Sequence, residues 1–166
     1  MSQQATLPSV DIDTLSVPVE FARLILKMCS ERGYPREKML SGLDITVLQV
    51  DTDGACLSIR QHMSLLLKGI ELSGGEGCLG YELGLRIGLS THTLVAMTLL
   101  SQSTIGDAIR LGIQFSQMLV PVYRGSLQQE ENFAVLDISM DMAIPDKLYQ
   151  YAYDMALISV WSGLLN

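Results

Sequence analysis

Phe21, Leu24, Ile25, Met28 and Cys29 recur at the i, i+3, i+4, i+7, i+8 spacing of one apolar helix stripe. Ser16 stands where a residue could cap that helix, Pro18 falls in its first turn, and Gly33 with Pro35 ends it. A second, short helix is predicted over 36–41, stopped by Gly42. Residues 44–54 carry Asp44, Asp51, Thr52, Asp53 and Gly54 and read as turn and loop. Ser58 and Gln61 then form an S-x-x-Q capping box, in which each side chain satisfies a free amide at a helix start. The helix it opens has Ile59, Met63, Leu66 and Ile70 on its inner stripe and is broken by the SGGEG run.

A fourth helix is expected over 78–87. Gly80, Gly84 and Gly88 recur every four residues there and stack on one face, where another backbone can approach closely. Thr93 to Leu100 reads as a fifth, buried helix. A T-x-x-D box, Thr104 with Asp107, starts a sixth that runs to about Leu119 with Ala108, Leu111, Phe115 and Met118 or Leu119 facing inward; Pro121 ends it. The period then changes. Ala134, Leu136, Ile138 and Met140 alternate with Asp137 and Ser139, the mark of a half-buried strand. Glu130, Glu131 and Asn132 form the turn before it and Val122 to Gln128 is its partner, giving an antiparallel hairpin. An isolated hairpin is marginal in water, so its sheet is expected to hold further strands. Pro145 and Asp146 begin a last helix with Leu148, Tyr151, Met155 and Ile158 inside. The predicted class is α+β, a mostly helical domain with a small antiparallel sheet. Residues 1–16 read as a loosely ordered tail and 17–166 as the domain. The pattern is still helical and apolar at Asn166, so a continuation past this residue is expected.

Apolar residues make up 48% of the 166 and charged residues 17%, enough for a sizeable core. No apolar run reaches the roughly 18 residues that span a bilayer, and the polar N-terminus lacks the form of a signal peptide. The net charge is −7, and the 11 basic residues are scattered rather than clustered, which argues against a grip on nucleic acid by this segment. Cys29, Cys56 and Cys78 form an odd set without a CxxC, as expected of buried, reduced thiols in a cytoplasm.

Reactive groups do not cluster. His62, beside an apolar stripe, reads as a packed or surface histidine. His92 precedes a buried helix in a Ser/Thr-rich bend, where its ring can bond helix-end amides; ligand contact and metal or haem ligation are the alternatives. SGGEG lacks the GK[ST] of a phosphate loop. Asp51 and Asp53 read as a solvated turn, since calcium would need further ligands. No G-x-S-x-G elbow surrounds Ser90, Ser101 or Ser103. With no nucleophile–base pair and no carboxylate dyad, an enzyme is the least favoured class.

The run LGYELGLRIGLSTHTLVAMTLLSQSTIGDAIRLGIQFSQML resembles the N-terminal effector-binding domain of AraC-type transcription regulators, in the branch labelled arabinose-binding. The family's "GLRLG" helix appears as Gly84-Leu85-Arg86-Ile87-Gly88. Its "hGxLGyAxLsS" segment appears as His92 to Ser101, and its "TLgeAL" as Thr104 to Ile109. Upstream, Glu31-Arg32-Gly33-Tyr34 followed by Met39-Leu40 and Gly42-Leu43 matches "eRGid…lL…GL". The order and spacing of these motifs carry the resemblance over about residues 17–145. Two glycines that follow the histidine in the family are Thr93 and Ala96 here, so backbone geometry or packing is open to change there.

The resemblance implies a cytoplasmic bacterial regulator domain that dimerises and responds to a small organic effector. DNA contact would belong to a separate C-terminal helix-turn-helix part, and neither cofactor nor metal is implied. A pocket is expected between the middle helices and the sheet. Tyr and Trp join apolar area to a polar tip, and methionines supply an adaptable lining. Tyr81, His92, Met97, Phe115 and Tyr123 are the candidate ligand contacts. Arg124 is an exposed arginine that could also meet an anionic head group. Two other readings are a protein-interaction domain without a small-molecule pocket, and a haem or gas sensor using His62 or His92.

Overall fold

In the computed structural model, which describes residues 11–73, 78–87, 97–99, 101–119 and 122–165, the chain is α+β and mostly helical. Strand β1 (Leu15–Pro18) leads into α1 (Val19–Glu31), α2 (Arg36–Leu40), α3 (Val47–Asp51), β2 (Cys56–Ser58), α4 (Ile59–Leu72) and α5 (Cys78–Ile87). After a helical stretch at 97–99 come α6 (Ile105–Leu119), β3 (Tyr123–Gln129), β4 (Ala134–Met140) and α7 (Asp146–Leu165).

Helix α1 follows its apolar stripe, burying Ala22, Ile25, Leu26, Met28 and Cys29. Its start differs from expectation. Pro18 is the N-cap residue, and no side chain caps the helix. Ser16 lies in β1, which pairs antiparallel with β2 through Val17↔Leu57 and Pro18↔Cys56. Strands this short show no alternation, and a pairing between residues so far apart in sequence leaves no local signal. Gly33 and Gly42 end α1 and α2 with φ of 84° and 76°, a left-handed backbone that glycine adopts at little cost.

Residues 44–54 are not all loop. Thr46 accepts a hydrogen bond from the Gln49 amide at 3.0 Å and caps α3. Five residues are too few to display a helical period, and the cap was hidden among acidic turn residues. The Ser58–Gln61 box is formed at both contacts. The Ser58 Oγ accepts from the Gln61 amide at 3.1 Å, and the Gln61 Oε1 accepts from the Ser58 amide at 2.9 Å. Residues 74–77, Gly88, His92 and Thr93 to Ala96 lie outside the described residues.

The main core joins α1, α2, α4, α5 and α7, with Ile25, Met28, Met39, Leu65, Leu79, Leu83, Leu148 and Tyr151 in it. The close approach expected on the glycine face is seen at Gly80. A Cβ on Gly80 would lie 2.5 Å from the Tyr151 carbonyl oxygen and 3.0 Å from its Cα, so the α5 and α7 backbones meet there without an intervening side chain. Cys29 is buried, which raises its thiol pKa, while Cys56 is half-buried rather than fully enclosed as expected.

The hairpin pairs Tyr123 with Met140 through Gln129 with Ala134. Its sheet has two strands among the described residues, not the larger sheet expected; helices support it instead. A Cβ on Gly125 would meet Ile113 of α6 at 2.9 Å, so that helix lies directly on β3. The T-x-x-D start of α6 forms, with the Asp107 amide donating to Thr104 Oγ1 at 3.1 Å. Ala108, Leu111 and Phe115 are half-buried, and Met118 is 73% exposed, which removes it as one of the two residues offered for the inward position. The side chains of Leu119 and Ile158 lie outside the described part.

Candidate functional site

Strand alternation places Tyr123, Gly125, Leu127, Leu136, Ile138 and Met140 on one face of the hairpin. Helix α6 covers the β3 side of this face. Against the β4 side, α7 leaves a narrow cleft lined by Tyr123, Ile138, Ser139, Met140, Tyr149, Ala152 and Tyr153. The cleft has room for about one water-sized group, about 10 Å³. Its walls are tied together by phenols. Tyr153 donates to the Ile138 carbonyl at 3.0 Å, and Tyr149 makes a long bond, 3.5 Å, to the Met142 carbonyl. At the mouth of the hairpin Arg124 pairs with Asp141 at 2.6 Å, so this arginine is engaged rather than a bare cation.

Helix α7 therefore carries two stripes. Leu148 and Tyr151 face the core, with Met155 and part of Tyr149 packed against it, while Tyr149, Ala152 and Tyr153 line the cleft. Tyr151 lies between the two regions. It is 5% exposed, and its hydroxyl has no hydrogen-bond partner among the described residues. Burial pushes its phenol well above the ordinary range, with the Tyr123 phenol adding to the effect. Burial likewise pushes Tyr123 up to about 12, so both remain neutral hydroxyls under ordinary conditions.

Of the five residues expected from the sequence, Tyr123 lines the cleft. Phe115 is half-buried on α6, Tyr81 is 50% exposed on α5 and Met97 is 62% exposed. His92 lies outside the described residues. Tyr149 and Tyr153 line the cleft as well, and Tyr149 also packs against the main core; with Ala152 they stand at the i, i+3, i+4 spacing of one helix face, which is the signal the sequence holds for them. His62 sets its ring edge-on to Phe21 at 6.3 Å between centroids. Its Nδ1 is buried without a partner among the described residues, and burial lowers its pKa to about 4. Among the described residues no group of His, Cys, Asp and Glu is placed to hold a metal ion, and no helix is long and apolar enough to cross a membrane.

The profile described as the arabinose-binding domain of AraC transcription regulators, N-terminal, matches residues 33–165. The chain belongs to this family. A curated relative of this AraC-type domain, the ornithine utilization regulator of Pseudomonas aeruginosa, is 27% identical over 120 residues. That alignment covers 72% of this chain and 35% of the relative, so the chain spans about a third of the regulator it matches. No solved structure matches the chain.

The motifs that carry the resemblance have structural work in this AraC-type domain. Arg86 of the GLRIG segment reaches Glu31 at 2.6 Å and Glu82 at 2.5 Å, and Arg32 pairs with Glu82. This four-membered network fastens the end of α1 to α5, and the Arg86 guanidinium holds the Glu31 carboxyl below its usual range. Met39 and Leu40 enter the core, and Thr104 with Asp107 starts α6. None of these residues lines the cleft.

Proposed function

We propose that this chain is the effector-binding and dimerisation domain of a cytoplasmic AraC-type regulator, and that a small organic effector binds in the cleft between the hairpin and α7. DNA contact is made by a separate C-terminal helix-turn-helix part of the full regulator. Membership of the family over residues 33–165, a span that includes the whole cleft, carries this reading. Tyr123 is the proposed contact within the cleft; Phe115, Tyr81 and Met97 serve a ligand that extends beyond it, and His92 is a proposed contact that lies outside the described residues.

The cleft is narrow, so a ligand must push the hairpin and α7 apart. Helix α7 cannot simply give way. Its backbone at Tyr151 rests on Gly80 of α5, and α5 is fastened to α1 by the Glu31–Arg32–Glu82–Arg86 network. Displacement at the cleft is thus passed into the helical core, which biases one arrangement of the dimer over another.

A thermal-shift screen of the purified chain tests this. A ligand that binds only the folded state at about 100 times its Kd adds about 2.7 kcal/mol. For a domain of this size that is a rise of roughly 5–11 °C in Tm. The relative's name refers to ornithine utilization, so amino compounds belong in the panel beside neutral and acidic metabolites. Absence of any concentration-dependent rise across a broad panel overturns the effector reading and favours a domain that contacts proteins alone. Sedimentation of the chain with and without the hit tests dimerisation.

A further inference from the structure

We infer that the free edge of β4 pairs antiparallel with the same edge of a second copy of this chain, about a two-fold axis at Val135. The inference rests on the dimerisation reading above and names the surface that carries it.

The hairpin register decides which backbone groups are committed. The Asp141 amide donates to the Val122 carbonyl at 2.9 Å, and the Glu130 amide donates to the Phe133 carbonyl at 2.9 Å. Both bonds continue the register that joins Arg124 to Ser139, Ser126 to Asp137 and Gln128 to Val135. Bonded and unbonded pairs alternate along an antiparallel ladder, so those pairs hold β3 to β4. Ala134, Leu136, Ile138 and Met140 are the alternate residues, and their N–H and C=O groups point away from β3. The Tyr153 hydroxyl marks that edge, donating to the Ile138 carbonyl at 3.0 Å and covering its root half. At Ala134 and Leu136 no described residue bonds the outward backbone groups.

Open edges are commonly blunted by lysine, proline or a bulge. Strand β4 reads AVLDISM, pairs without a bulge, and carries Asp137 as its only charge. Phe133 and Val135, 57% and 45% exposed, stand on the outer face at the same end. A second copy fits this edge in one register. With Val135 opposite its own copy, Ala134 and Leu136 face the partner's Leu136 and the partner's Ala134, and each pair exchanges both bonds. Phe133 then lies diagonal to the partner's Val135, so exposed apolar side chains cover one another. An axis at Asp137 would set two carboxylates face to face. An axis at Leu136 would call on the Ile138 carbonyl that Tyr153 holds. An axis at Ala134 would set Leu136 against Asn132 in the bend of the hairpin. Charge and free backbone groups thus agree on Val135. The joined hairpins form a sheet of four strands, where two alone are marginal.

The full chain is tested by sedimentation velocity and by cysteine cross-linking with oxidised glutathione. In the unbonded pair on the axis the Cα atoms stand about 4.5 Å apart, within reach of a disulfide, so Val135→Cys is expected to cross-link as a dimer. Asp137→Cys is the register control. Its two copies lie about 14 Å apart along the strands and are expected to stay unlinked. The parent chain, with Cys29 buried and Cys56 half-buried, sets the background. Ala134→Pro removes an outward N–H at both symmetry-related positions and leaves the bonds between β3 and β4 intact. It is expected to raise the dimer Kd at least about tenfold with an unchanged far-UV circular dichroism spectrum. A sedimenting dimer that Val135→Cys does not link, or that Ala134→Pro leaves as tight as before, overturns the β4 edge and leaves dimerisation standing. Equal linking through Val135→Cys and Asp137→Cys overturns the axis. A chain that sediments as a monomer at every concentration overturns the edge pairing and the dimerisation reading together.

Discussion

Gly80 gives the sharpest test of how α5 and α7 are joined. In Gly80→Ala the new Cβ falls 2.5 Å from the Tyr151 carbonyl oxygen, 3.0 Å from its Cα and 3.1 Å from its carbonyl carbon. The comfortable separation is about 3.5–4 Å, so close to 1 Å must be found. All three obstructing atoms are backbone, and no rotamer change can clear them. Overpacking of this kind costs about 1–3 kcal/mol, and the upper part of that range applies where a helix must shift. Alanine returns about 1 kcal/mol over glycine through helix propensity. The net expectation is a loss of about 2 kcal/mol, or roughly 4–8 °C in Tm for a domain of this length. Gly112→Ala on α6 is the control, because its Cβ would meet only the Leu99 side chain, at 3.9 Å. There the propensity gain stands alone, and stability should rise by up to about 1 kcal/mol. Urea denaturation followed by far-UV circular dichroism reads both variants. A Gly80→Ala protein as stable as the parent would refute the close backbone contact and, with it, the route proposed from cleft to core.

Other outcomes follow from single side chains. The His62 pKa of about 4 in the folded chain lies below the ordinary value of 6.5, so the unfolded chain binds the proton more tightly between them. Stability from this group is complete above pH 6.5 and falls as pH drops toward 4, by at most about 3 kcal/mol, less because the residue as a whole is only half-buried. His62→Phe should flatten that part of the stability curve; an unchanged slope speaks against a neutral, enclosed imidazole. Ser58→Ala removes one half of the capping box on α4 and should cost about 1 kcal/mol in chemical denaturation. Tyr151→Phe removes a buried hydroxyl that has no partner among the described residues and should stabilise by about 1 kcal/mol; a clear loss in Tm would mean that the hydroxyl is satisfied.

The sequence made the helical frame legible where its signals are local and repeated. The α1 stripe, the Ser58–Gln61 box, the bounds of α5 and the glycine at Gly80 could be read because period, caps and missing side chains act within a few residues. The hairpin was readable from its alternation, with β3 displaced by one residue. What escaped was short or long-range: β1 and β2, whose partners lie some forty residues apart, and α3, a single turn behind Thr46. The cleft was only half visible. Tyr123 was legible as a ring with a polar tip beside the expected pocket, whereas Tyr149 and Tyr153 share a helix with core residues. Only the packing of α7 against both Gly80 and β4 separates its two stripes.

The central claim is that ligand occupancy of the hairpin–α7 cleft is what this domain senses. Methyl NMR of the methionines during titration with the strongest hit from the metabolite screen tests it most directly. The account predicts that Met140, in the lining, moves first and saturates at the same ligand concentration as the rise in Tm. A hit that raises Tm while Met140 stays still and the core methyls of Met28 or Met39 move instead would contradict it.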